Sequence, residues 1–112
     1  MKLNKYGRKA REYALYSSTA YPFLALGEEA GEVLGKIAKT SRKTDRVIDD
    51  VIIFCGEELR QELLKELGDV LWQLAACAYE LDSTLEEVAK MNLDKLSGRS
   101  ERGTIEGRGD DR

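Results

Sequence analysis

Residues 70–79 read VLWQLAACAY, with Gln73 the single polar side chain. They close the longer stretch 57-EELRQELLKELGDVLWQLAACAYEL-81, whose Leu, Glu, Lys and Ala content favours helix. A helix that is apolar on nearly every side must be covered on every side. The chain has 112 residues, enough for one domain. The cover must therefore come from the centre of a bundle or from a second copy of the chain. The expectation is an all-α fold, a four-helix bundle-like subunit assembled as a homo-oligomer, dimer or tetramer. A charged fraction of 35% with one proline agrees with a helical chain.

Turn and capping signals divide the rest. A first helix is expected over residues 2–16, weakened by Gly7. The segment 17-SSTAYP-22 interrupts it, with Ser18 or Thr19 as cap and Pro22 in the first turn of a second helix, residues 22–39. Residues 40–56 read as loop followed by a helical turn or packed linker, because the β-branched run 51-VIIFC-55 has no second strand to pair with. A fourth helix is expected from the capping box 83-STLE-86, with Ser83 as cap and Glu86 reaching back, through 87-EVAKMNLDKL-96. Residues 1–96 form the domain. Residues 97–112 are Gly-rich and charged, with Ile105 the only large apolar residue, and alone such a tail stays disordered.

Composition removes several functions. A net charge of −3 argues against a nucleic-acid polymer as partner. The absence of histidine removes the commonest general base and excludes the Glu-x-x-His pattern of di-iron bundles. Cys55 and Cys77 sit in apolar surroundings and are expected to be buried free thiols in a reducing compartment. The charged start MKLNKYGRKARE is unlike a signal peptide, and no apolar run approaches the ~20 residues of a membrane span. A cytoplasmic protein is expected.

The chemistry lies in two acidic stripes. On a helix, Glu29, Glu32, Lys36 and Lys39 fall within a sector of about 80°, and Glu62, Glu66, Asp69 and Gln73 within about 60°. Apolar residues flank both, so the stripes need not face water. Helices packed side by side would bring Glu29 and Glu32 to Glu66 and Asp69. Carboxylates held together repel, and some would take up protons unless a cation intervened. Oxygen-only ligands select a hard ion, Mg²⁺ with Mn²⁺ as substitute, which keeps positions open for phosphate oxygens. Gly27, Gly31, Gly35 and Gly68 would allow close approach of helices or ligand. Lys36 and Lys39 continue the first stripe and suit β- and γ-phosphates, or remain solvated helix lysines. Asn92, Lys95 and Arg99 recur at helical spacing and suit phosphate or sugar. Trp72 and Tyr79 either stack on a base or pack in the core.

The pair 28-EEAGE-32 and 66-ELGD-69 resembles the metal-binding signature of the MazG-like family of all-α nucleoside triphosphate pyrophosphohydrolases. The likeness extends to 19-TAYP-22, 69-DVLW-72, 92-NLDKL-96 with Arg99, and the ending 103-GTIEGRGDDR-112, which is similar to shorter, phage-type members. The resemblance implies a Mg²⁺-dependent enzyme that hydrolyses a (d)NTP between the α- and β-phosphates, releasing monophosphate and pyrophosphate. It implies Glu29, Glu32, Glu66 and Asp69 as metal ligands and Glu28 or Glu66 as proton acceptor. It also implies a tail in which Arg108, Asp110 and Arg112 fold over bound nucleotide. The spacing between Glu32 and Glu66 is longer than in compact members. A non-catalytic metal- or nucleotide-binding regulatory bundle is the alternative, and a purely structural helix-pairing protein is a third reading.

Overall fold

The computed structural model describes residues 1–44 and 48–112, with side chains outside 44–55. The fold is all-α. Four helices follow in order: α1 (Leu3–Arg11), α2 (Tyr21–Thr44), α3 (Ile48–Glu80) and α4 (Leu85–Arg102), with no strand among the described residues. The expected side-chain environment of Cys55 lies outside the described residues, whereas Cys77 is a buried free thiol.

Each boundary has a local cause. α1 ends at Arg11, five residues earlier than the pattern suggests, where three successive amides (Glu12, Tyr13 and Ala14) bond the carbonyls three residues back. Such tight turns close a helix rather than extend it. The chain then turns so that Tyr16 stacks on Tyr21, ring centroids 5.8 Å apart, and its hydroxyl donates to Glu80 Oε2 at 2.5 Å. Ser18 Oγ accepts from the Ala20 amide at 3.3 Å, and Pro22 is fully buried in the first turn of α2, where its missing N–H costs nothing. α2 runs past Lys39 to Thr44. α3 begins at Ile48, so residues 48–55 are helical, and the break falls at Gly56, with φ 66 and ψ −149. That combination is essentially restricted to glycine.

The junction between α3 and α4 corrects the expected cap. Asp82, at φ 56, ends α3 by donating its amide to Tyr79 O, and the Ser83 amide reaches Ala78 O at 2.8 Å. This pair of bonds is a Schellman closure. Ser83 is thereby committed to α3, and Thr84 caps α4 instead, its Oγ1 accepting from the Glu87 amide at 3.1 Å. Glu86 does not reach back. Its carboxylate accepts from Asn4 Nδ2 at 2.9 Å while its amide donates to Asn4 Oδ1 at 3.2 Å, which fixes α1 to the start of α4.

α4 continues to Arg102 rather than stopping at Leu96 and closes on Gly103 in the left-handed region. The tail folds back on it. Arg99, only 6% exposed, donates to Gly109 O, Asp110 O and Asp110 Oδ1 at 3.1–3.3 Å. Lys95 meets the same carboxylate at 3.2 Å, and Arg112 donates to the carbonyls of Thr104, Ile105 and Gly109.

α2 packs mainly against α3, α1 against α3 and α4, and α4 against α1 and α3. The buried residues are mostly small: Ala10, Ala25, Ala76, Cys77 and Ala78, with Leu59 and Leu85. Large apolar side chains remain outside, Leu15 at 97%, Leu24 at 74% and Leu34 at 68% exposure among them. The radius of gyration is 17.0 Å, against about 13 Å for a compact chain of this length. One copy thus leaves much apolar surface in water.

Candidate metal centre

α2 carries Glu29 to α3, where Glu66 and Asp69 are one turn apart and project together. One carboxylate oxygen from each of the three lies within 4.8 Å of the others. Glu29 and Glu66 are half-buried and Asp69 is exposed. Burial pushes the Glu29 carboxyl above its ordinary value of 4.5, and the charges of Asp69, Glu28, Glu66 and Glu32, in that order, push it further. The site is therefore short of positive charge. Lys36 supplies one, 3.8 Å from Glu66. Three hard oxygen donors with one lysine at the margin could hold a hard divalent cation.

The two stripes meet, but not through every residue. Glu32 is exposed and outside the group of three, acting on Glu29 only as the weakest of the four charges. Glu28 is likewise exposed. Lys39 is exposed one turn beyond Lys36. Gly27, Gly31, Gly35 and Gly68 do not serve close helix packing: a Cβ built on any of them meets nothing within 4 Å. Lys95 and Arg99 are held by Asp110 of the tail, Asn92 is exposed, and α4 makes no contact with α2 among the described residues. Arg108 is exposed, and Arg112 spends its guanidinium on the tail's own carbonyls. The Arg99 Nε is buried without a hydrogen-bond partner.

Two cavities flank Trp72. One, of about 530 Å³, lies between the end of α1, the connection into α2, and α3, and it opens to Glu29. The other, of about 440 Å³, is lined by Tyr6, Tyr13, Asp69 and Trp72. Burial raises the Tyr6 phenol, and the nearby Asp69 charge adds to it. Over the larger cavity, the Arg11 guanidinium stacks on the Tyr79 ring at 3.6 Å, donates to the Tyr16 hydroxyl, and pairs with Glu80 at 3.7 Å. Sequence reading did not find Arg11, Tyr16 or Glu80, because 64 residues separate Tyr16 from its partner Glu80. Gln73 did carry a signal, as the single polar residue in an apolar run. It is 6% exposed, lines the larger cavity, and has no hydrogen-bond partner among the described residues.

The profile of the MazG nucleotide pyrophosphohydrolase domain matches residues 19–104. The chain belongs to the MazG family. That span runs from just before α2 to just past the end of α4 and contains all three clustered acids. The chain is 42% identical over 93 residues to the Gene 37 protein of Mycobacterium phage L5, covering 83% of this chain and 75% of that one. It is 35% identical over 83 residues to the uncharacterized protein YvdC of Bacillus subtilis (strain 168), covering 71% of this chain and 76% of that one. No solved structure matches it. Among the described residues, no helix is long and apolar enough to cross a membrane.

Proposed function

We propose that this MazG-family chain is a divalent-metal-dependent pyrophosphohydrolase that cleaves a (d)NTP between the α- and β-phosphates, giving (d)NMP and pyrophosphate. The observation that carries this reading is the convergence of Glu29, Glu66 and Asp69 within 4.8 Å, on two different helices. Such crowding is unfavourable without a cation, and folds retain unfavourable charge clusters mainly where function uses them.

Glu29, Glu66 and Asp69 would hold Mg²⁺ or Mn²⁺, with Glu32 free to join as the ligand shell fills. Bound there, the ion would neutralise charge on the phosphates during an in-line displacement. Lys36, already at the cluster margin, would meet the polyphosphate beyond the cleaved bond, with Lys39 one turn further along. Glu28 lies beside the cluster without belonging to it, so it is the acid left to accept a proton from the attacking water. Lys95 and Arg99 would serve the substrate only after releasing Asp110. The exposed leucines support a homo-oligomer, and the buried free Cys77 supports a reducing, cytoplasmic location.

The test is a panel of the eight common NTPs and dNTPs with Mg²⁺, scored separately for pyrophosphate and orthophosphate. Pyrophosphate release is expected, falling by roughly 10²-fold or more in Glu29→Gln and Asp69→Asn. Orthophosphate as the first product, or unchanged turnover in both variants, would overturn the proposal.

A further inference from the structure

We propose that the cavity beside Glu29 is a nucleobase subsite and that Gln73 is the residue that selects the base. The inference rests on the pyrophosphohydrolase reading for its ligand class, and on the cavity for everything else.

Geometry sets the direction of the ligand. The cavity is lined on α3 by Trp72, Gln73, Ala76 and Tyr79, so it extends along the helix for about 10 Å at 1.5 Å per residue. One part of it reaches Glu29, and Glu29 shares the acidic cluster with Glu66 and Asp69. A ligand with its phosphates at the cluster has this space for its other end. The volume of about 530 Å³ is within the range of small-molecule sites, about 300–1,000 Å³.

Surface chemistry sets the kind of group. Tyr16, Tyr21, Trp72 and Tyr79 give aromatic faces, while Ala10, Ala14, Ala75 and Ala76 keep the interior open. Arg11 is already committed to Tyr79, Tyr16 and Glu80, so these walls are held in place before any ligand arrives. Into this apolar space Gln73 brings one acceptor and two donors, unused by the described residues. An aliphatic occupant would leave that amide unpaired. A planar group with a donor next to an acceptor on its edge would satisfy it, and every nucleobase has such an edge. Gln73 is one turn beyond Asp69 on the same stripe, about 6 Å along the axis, which separates base recognition from the charged end of the site. Substrates that differ only by a missing hydrogen-bonding edge are then rejected because Gln73 is left unpaired.

Trp72 reports on this cavity directly, because it lines the wall and is the only tryptophan in the chain. The full-length protein in EDTA is titrated with phosphate-free nucleosides, with nucleoside monophosphates, and with ribose 5-phosphate as the baseless probe, following Trp72 fluorescence. Saturable quenching by one or more nucleosides is expected, with none from ribose 5-phosphate. Gln73→Leu should weaken the preferred nucleoside at least tenfold and level the ranking of bases, with its helical circular dichroism unchanged. Gln73→Glu, which accepts but does not donate when ionised, should move preference toward amino-bearing bases and away from uracil and thymine. If Gln73→Leu fails to fold, Gln73→Glu decides alone. No saturable quenching by any nucleoside, quenching equal to that of ribose 5-phosphate, or a ranking that both variants leave unchanged would each overturn the subsite. Nucleoside binding without pyrophosphate release would retire the enzyme reading and leave the subsite standing. Pyrophosphate release with a base-blind Trp72 would do the reverse.

Discussion

Replacing Asp69 by Asn should stabilise the metal-free protein and remove its response to Mg²⁺. Asp69 accepts no hydrogen bond and forms no ion pair among the described residues, so the substitution removes charge and almost nothing else. At 4.8 Å, the outer limit for one oxygen of each group, two unit charges repel by about 0.9 kcal/mol in a water-like dielectric, and by about 3.5 kcal/mol at an effective dielectric near 20. Asp69 is exposed and its neighbours half-buried, so the lower figure governs. Two pairs are relieved, with Glu29 and with Glu66. The gain is about 1–2 kcal/mol, or roughly 4–8 °C in Tm for a chain of this size. Wild type in Mg²⁺ at a hundred times its Kd gains about 2.7 kcal/mol, roughly 11 °C, and the variant should gain little of it. The assay is thermal melting by circular dichroism in EDTA and in excess Mg²⁺, with Glu101→Gln as an exposed control. The variant should melt above wild type in EDTA and not in Mg²⁺. A lower Tm in EDTA together with an intact Mg²⁺ response would refute the idea that these carboxylates repel one another until a cation joins them.

The raised Glu29 carboxyl gives a pH dependence of definite sign. Its folded pKa is above its ordinary value of 4.5, so the native state binds the proton more tightly than the unfolded chain across the window between them. Stability in EDTA should therefore be present below the ordinary value and be lost as pH rises through the raised one; melts of wild type and Glu29→Gln across pH 4 to 8 check this, and an identical slope in both would sink it. At the start of α4, Thr84→Ala should cost about 1 kcal/mol by urea unfolding, while Ser83→Ala should be close to neutral. Equal losses would restore the capping box read from 83-STLE-86.

The sequence alone determined the helical class and where chemistry would gather. Helix propensity and the three- and four-residue spacing within each stripe, Glu29 with Glu32 and Glu66 with Asp69, are local properties, fixed by backbone geometry before any packing. The apolar run around Gln73 likewise announced the helix that the others cover. Tertiary structure decided which members of each stripe meet, because two helices touch along a line and not across their whole faces. Glu29 fell on that line, and Glu32, one turn away, stayed in water. The same holds at the ends of α4. Ser83 was spent on closing α3, and Glu86 found Asn4, 82 residues away in the chain. Lys95 and Arg99 found Asp110. The cavity owes most to distance in sequence: Arg11, Tyr16 and Glu80 come from opposite parts of the chain, and no periodicity records that they touch. Local patterns encode which face a residue occupies, and only packing determines what that face meets.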